Sequence, residues 1–182
     1  MSDKKLFILS APSGCGKTSL AQALIESRDD VAIATSHTTR AMRPGEHDAV
    51  DYYFTGTQNF EDMITRNEFL EYARVFDNLY GTSIAAAEDL MAKGQHVILD
   101  IDWQGARQVR EIYPDVVSVF IVPPSVETLE HRLRGRGQDD EATIARRMQG
   151  AKDELAHQSE YDHIIVNDDF DTALAELGKL LD

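Results

Sequence analysis

The sequence predicts an α/β fold built around a largely parallel sheet. Short apolar runs alternate with helix-period segments along the chain. The first of these runs passes through a Gly-rich turn directly into a helix. A polar stretch beginning near Thr35 interrupts the alternation and predicts an inserted sub-domain, roughly Thr35 to Ala92.

In chain order, Leu6–Ser10 reads as the first strand, and Thr18 to about Arg28 as a helix with Leu20, Ala23, Leu24 and Ser27 on one face. Thr35–Thr57 is polar, with aromatic and β-branched residues and a Pro44-Gly45 turn, and predicts short antiparallel strands. Phe60–Asn67 and Ser83–Ala92 read as helices, the second stopped by Gly94. His96–Ile101 is a strand ending in acid, followed by a helix from about Gly105 to Tyr113. Val116–Val122 is a strand closed by Pro123-Pro124, and Val126–Leu133 a helix leading into a basic loop, Arg134-Gly135-Arg136-Gly137. A long helix from Glu141 to about Gln158, a strand at His163–Val166 and a helix from about Asp171 complete the series.

Composition narrows the function classes. The 182 residues carry 18 Lys and Arg against 32 Asp and Glu, a net charge of −14, with 42% hydrophobic residues. Such a chain has a core, not wholesale disorder, and its field repels nucleic-acid backbones. No apolar run approaches the roughly 20 residues of a membrane span. A lone cysteine, Cys15, and a start lacking a long apolar stretch predict a cytoplasmic protein. Yet five of the twelve arginines fall between Arg132 and Arg147, and Arg40 and Arg43 sit together. Guanidinium so concentrated suits the local capture of small anions.

Between the first strand and helix lies Ala11-Pro12-Ser13-Gly14-Cys15-Gly16-Lys17-Thr18. This is the phosphate-loop pattern G-x-x-x-x-G-K-[ST] with Ala at its first position. Gly14 and Gly16 let the backbone curl so that successive N–H groups point at phosphate oxygens, and the helix N-terminus adds its partial positive charge. Lys17 supplies a mobile charge for the β- and γ-phosphates, and Thr18 a hydroxyl for Mg²⁺. Cys15 reads as a small side chain where bulk is not tolerated.

A second anion site follows. Arg40 and Arg43, three residues apart with a tyrosine nearby, can fork a phosphate monoester. Leu79-Tyr80-Gly81-Thr82-Ser83 reads as a hydroxyl-rich turn. Asp100-Ile101-Asp102 places two carboxylates at a strand's C-terminal end, where parallel sheets bind ligands, and strand alternation puts both on one side.

Together these stretches resemble the guanylate kinases. The shared motifs are A-P-S-G-C-G-K-T, S-H-T-T-R-x-x-R-P-G-E, D-Y-Y-F, E-F-L-E-Y, Y-G-T-S, I-L-D-I-D-x-Q-G, R-L-x-G-R-G and V-N-D-D, in family order from Leu6 to Leu177. The resemblance implies a P-loop NTPase-type parallel sheet flanked by helices, as a single domain over 1–182. Its core would be 1–34 and 94–182, with a small mixed β/α GMP-binding lobe at about 35–93 and a short Arg-rich lid at about 132–147.

The implied activity is transfer of the γ-phosphoryl group of ATP to GMP, and to dGMP, with Mg²⁺. The implied partners are these small nucleotides, with no nucleic acid or membrane. By the same resemblance, Arg40, Arg43, Tyr52 and Tyr80 hold the GMP phosphate, and Ser36, Glu71, Thr82 and Asp102 contact guanine. Residues Ala11 to Thr18 hold the ATP phosphates, Asn167 lies near adenine, and Thr18 and Asp100 support Mg²⁺. Lys17 and the lid arginines Arg132, Arg136 and Arg147 would act on the moving phosphoryl group. The chemistry agrees: guanine presents N1–H and N2–H side by side, and one carboxylate accepts both.

Other residues read as structural. Arg146 is a surface charge, Tyr53 and Trp103 pack, His37 and His131 lack ligand partners at useful spacing, and Asp139-Asp140-Glu141 begins a helix. The sequence departs from the family at Ala11 and Ala49, both positions of Gly, and it ends at Asp182, earlier than many relatives, with every motif retained. Two competing classes are a peptide-binding guanylate-kinase-like module and a sugar-phosphate kinase. The intact Lys17, Thr18 and acid pair oppose the first, and Glu71 with the T-T-R-x-x-R segment opposes the second.

Overall fold

A computed structural model describes residues 6–135, 137 and 139–182. One sheet has five strands in the order β2-β7-β1-β8-β9, and a second has four in the order β4-β3-β6-β5. Here β1 is Leu6–Ser10, β2 Val31–Ile33, β3 His37–Thr38, β4 Tyr53–Phe54, β5 Phe69–Val75, β6 Asn78–Ser83, β7 His96–Asp100, β8 Val117–Val122 and β9 His163–Val166. The pairs β2·β7 and β8·β9 are parallel. The helices are α1 (Lys17–Ser27), α2 (Thr57–Thr65), α3 (Ile84–Ala92), α4 (Trp103–Ile112), α5 (Val126–Gly135), α6 (Glu141–Leu155) and α7 (Phe170–Lys179). The chain divides into two compact units, 1–8 with 30–116 and 9–29 with 117–182.

The first unit holds the four-stranded sheet. β5 and β6 form an antiparallel hairpin, β3 pairs antiparallel with β6, and β3 and β4 run parallel. The sequence predicts only short antiparallel strands before Thr57 and a turn at Tyr80–Ser83. The structure instead makes Tyr80–Ser83 part of a full strand, because the hairpin turns earlier, at Phe76-Asp77. Beneath this sheet Phe60 and Met63 of α2 pack on Phe69 and Leu79, with the Phe60 and Phe69 rings stacked at 4.4 Å. Truncating a ring so buried costs about 3–5 kcal/mol. In the same unit Val97, Leu99, Ala106 and Val109 are fully buried. α4 begins at Trp103, capped by Asp102, whose carboxylate accepts the N–H groups of Gln104 and Gly105.

The second unit packs the apolar faces of α1 (Leu20, Leu24), α5 (Leu129, Leu133) and α7 (Ala173, Leu177), and buries Val119, Phe120 and Ile121 of β8. Arg134 and Gly135, expected in a loop, extend α5. α6 starts where the acidic run predicts a helix, with Asp140 accepting the N–H of Thr143.

The two departures at glycine positions differ physically. Ala11 is not among the residues with positive φ, whereas Ala49 lies at φ 62, inside a tight turn closed by its own N–H to the Tyr52 carbonyl at 2.8 Å. The left-handed conformation costs a residue with a Cβ about 1–2 kcal/mol, offset in part by the greater unfolded-state freedom of glycine. Ala49→Gly should therefore stabilise the protein by up to about 1 kcal/mol, read as a higher urea midpoint at unchanged m-value; a lower midpoint would contradict the strain.

Candidate active site

In the second unit, the loop between β1 and α1 takes its shape from two left-handed glycines, Gly14 at φ 91 and Gly16 at φ 83. Cys15 N–H closes a turn on the Pro12 carbonyl at 3.2 Å, and Gly16 caps α1, accepting the N–H of Leu20 at 3.0 Å. Space forbids side chains at both glycines. A Cβ on Gly14 would lie 2.9 Å from Leu133 Cδ2, and one on Gly16 2.5 Å from Asn167 Nδ2. Ala11, Pro12 and Cys15 are buried, Ser13 and Thr18 are exposed, and Lys17 is half-buried as the first residue of α1. The loop thus offers its backbone N–H groups and a helix N-terminus on a rigid base.

Asn167 supplies part of that base. It is buried just beyond β9, with its N–H on the Val122 carbonyl at 2.9 Å and its side-chain amide on the Cys15 carbonyl at 2.7 Å. Its own carbonyl accepts Nη2 of Arg132 at 2.9 Å. Arg147 pairs with Asp139 at 2.8 Å. Arg136, the remaining arginine expected here, lies outside the described residues.

In the first unit, the side chains expected to read a base converge. Ser36 Oγ and Thr82 Oγ1 are 3.1 Å apart, and Thr82 donates its backbone N–H to Glu71 Oε1 at 2.8 Å. A β-bulge between Phe69 and Glu71 sets the direction of this strand just before the carboxylate. Glu71 is 4% exposed. Burial pushes its carboxyl up to about 7, against the pull of the Thr82 bonds and with a smaller push from Asp102 and Asp100. Asp102 was expected to share a strand face with Asp100. It is instead the cap of α4, beyond the end of β7, with Oδ1 on the N–H groups of Gln104 and Gly105 and Oδ2 on the Gln104 amide at 2.8 Å.

Three of the four residues expected to hold a phosphate also meet. The Arg40 guanidinium lies over the Tyr52 ring at 5.4 Å and interacts with Tyr80, whose ring is 6.0 Å from that of Tyr52. Arg43 is not drawn into this group: its side chain is exposed, and its backbone N–H binds Glu46 Oε2 at 2.7 Å. Glu46 closes the Arg-Pro-Gly-Glu segment. It forks Arg40 at 2.8 and 3.0 Å, holding the guanidinium more firmly charged and its own carboxyl below the usual range. The signal was available: an acid beyond a Pro-Gly turn can fold back on the arginines before it. Tyr53 packs as expected, stacked on His37 at 4.7 Å.

Comparison with known proteins gives one consistent result. The guanylate kinase family model matches residues 3–182. A guanylate kinase from Chromohalobacter salexigens is 58% identical over 97% of this chain and 82% of its own length, and one from Vibrio vulnificus is 56% identical over 97% and 86%. The crystal structure of guanylate kinase from Anaplasma phagocytophilum superposes with a TM-score of 0.81 at 36% identity, covering 98% of this chain and 84% of that one. With a parallel sheet, a glycine-shaped phosphate loop and a match along nearly its whole length, the chain belongs to the guanylate kinase family.

Proposed function

We propose that the protein transfers the γ-phosphoryl group of ATP to GMP, and to dGMP, giving ADP and GDP, in the cytoplasm. The observation that carries the acceptor's identity is Glu71, a buried carboxylate set beside Thr82, Ser36 and Asp102. A base lacking the N1–H and N2–H pair leaves that carboxylate without partners, and an unpaired buried polar group is what makes such sites selective. In this reading the acceptor lobe is about 35–93 and the lid about 132–147.

Arg40, Arg43, Tyr52 and Tyr80 take the acceptor phosphate. Glu46 and the Ala41 carbonyl use three of the five N–H groups of Arg40, and Tyr80 also hydrogen-bonds the guanidinium, so a phosphate would be met by Arg40 and the Tyr80 hydroxyl together. Residues Ala11 to Thr18 wrap the donor phosphates, with Asn167 at the edge of that site. Lys17, Arg132, Arg136 and Arg147 spread the charge of the transferring group. Phosphoryl transfer needs alignment and charge cancellation more than covalent chemistry, so no general base is assigned.

Among the described residues no cluster of three or more His, Cys, Asp or Glu is placed to hold a metal. Thr18 and Asp100 are the oxygen donors we assign to Mg²⁺ by the chemistry of their side chains, since that ion takes one or two protein oxygens together with substrate phosphates and water. When bound, Mg²⁺ would neutralise charge on the phosphates. No helix among the described residues is long and apolar enough to cross a membrane, and the single cysteine, Cys15, is buried and in no disulfide, in keeping with a reducing compartment.

The deciding test is an acceptor panel with ATP and Mg²⁺: GMP turned over far faster than AMP, IMP or sugar phosphates is expected, and turnover of another acceptor in its place, or of none, overturns the proposal. Lys17→Met should lower kcat at least a hundredfold while GMP affinity by calorimetry stays within about threefold; near-normal turnover would remove the phosphate-loop role.

Glu71 adds a pH signature with a defined sign. Its folded-state pKa of about 7 lies above the ordinary 4.5, so its contribution to stability is full below about 4.5 and is lost as pH rises through 7. Guanine needs the ionised form, so binding runs the opposite way. KM for GMP should rise as pH falls from 8 to 6, beyond the change that Glu71→Gln shows over the same range. Parallel profiles in the two proteins would detach that carboxyl from the base.

A further inference from the structure

Gly105 belongs to no assigned role, yet the space beside its Cα is occupied by the buried carboxylate. It lies in the first turn of α4, where an added side chain has no room. A Cβ built there would fall 2.3 Å from Glu71 Oε2, 3.1 Å from Glu71 Cδ and 3.3 Å from Ile101 Cβ. Carbon and oxygen do not approach to 2.3 Å without bonding, so any side chain here forces either α4 or the carboxylate to move.

α4 is the more firmly held of the two. The Gln108 amide grips the Tyr72 backbone at both ends, donating to the carbonyl at 2.7 Å and accepting the N–H at 3.0 Å. Gln104 reaches the Arg74 carbonyl at 3.3 Å, and the Gly105 N–H itself is bound by Asp102 at 3.1 Å. These bonds register α4 against β5, so that the bare face of Gly105 meets Glu71 while Gln108, one turn on, meets Tyr72. The carboxylate is the far end of a side chain with three torsions, and the bond from Thr82 N–H to Oε1 is its named anchor.

We propose that Gly105 is a positioning residue for guanine selectivity: the space left by its missing side chain is where Glu71 Oε2 sits, and filling it turns the carboxylate away from the base. This rests on the reading of Glu71 as the group that accepts both guanine donors. A turned carboxylate keeps at most one of those bonds, so the loss should fall on the acceptor that offers two. IMP retains N1–H but lacks the 2-amino group, which makes the GMP-to-IMP preference the diagnostic quantity.

The test is steady-state kinetics of Gly105→Ala, Glu71→Asp, their double variant and Glu71→Gln, each with GMP and IMP. Gly105→Ala should lower kcat/KM for GMP at least tenfold, mainly through KM, and shrink the GMP-to-IMP preference at least threefold. Values within twofold of the parent overturn the proposal. A shorter carboxylate withdraws by about one C–C bond, ~1.5 Å, so Glu71→Asp should cost at least threefold less in the Gly105→Ala background than in the parent; multiplicative losses deny any contact between the two. Should Gly105→Ala fail to fold, recovery of a folded protein in the double variant supports the steric conflict, and failure of both overturns it. Glu71→Gln separates the layers. If it abolishes the GMP preference while Gly105→Ala does not, the glycine assignment alone falls; if it leaves the preference intact, the base-reader reading falls with it.

Discussion

The structure is organised around one costly element, a carboxylate placed where water scarcely reaches. Glu71 is enclosed by β5, β6 and α4, and burial dominates its upward shift to about 7. Isolated ionised groups are not left in such places without partners. Here the protein supplies only some of them: the backbone N–H of Thr82 and the hydroxyl pair beside it. Asp102 and Asp100 add repulsion instead of relief. Desolvation therefore outweighs these bonds, and in the proposed reading a ligand bringing two adjacent N–H groups would restore the balance. In that reading an acceptor lacking those donors could not repair the imbalance.

The surrounding sequence makes sense as support for this arrangement. The bulge before Glu71 sets the strand's direction, Asp102 begins α4 by capping it, and Gln104 and Gln108 fix that helix to the backbone of β5. The phosphate end follows a different rule. Arg40 is already neutralised and aimed by Glu46 and lies over the Tyr52 ring, so its orientation does not depend on an anion being present. Arg43 remains exposed, its main-chain N–H bound by the same glutamate and its charge acting on that glutamate through space. One guanidinium is thus pre-organised and its neighbour is free to adjust.

Much of this was legible in the sequence, and what was not has identifiable causes. The strands β1, β8 and β9 and most helices follow from apolar runs and periodicity. The phosphate loop is legible because its chemistry is local: two glycines, a lysine and a threonine in eight residues. The β5–β6 hairpin is hidden because its pattern is broken by the bulge and by Glu71, an acid on the buried side of the strand. Polar functional residues remove the alternation that announces a strand. β2, only three residues long, falls below what periodicity resolves. Asp102 reads from the sequence as a strand residue and is instead a helix cap, since an acid just past a strand looks the same whether it ends the strand or caps the next helix. Glu46 and Gly105 carry no signal of their contacts in the apolar pattern of the sequence. A partner six residues away across a turn, and an absent side chain, leave no mark in composition.

Absent side chains are a recurring device in this chain, and position decides their meaning. Gly14 and Gly16 need both left-handed φ and empty space, against Leu133 and the Asn167 amide. Gly105 is helical, with no conformational demand, so only the space explains it. A helical glycine gives up about 1 kcal/mol relative to alanine, a loss the fold has no local reason to bear. Ala11 and Ala49 mark the opposite case. At Ala11 a methyl is accommodated without positive φ, so the loop keeps its curl without glycine at its first position, whereas at Ala49 the methyl is carried at φ 62 on an exposed turn. Strain is thus carried on an exposed turn and absent from the first position of the phosphate loop, which separates the glycines this fold requires from those it merely usually has.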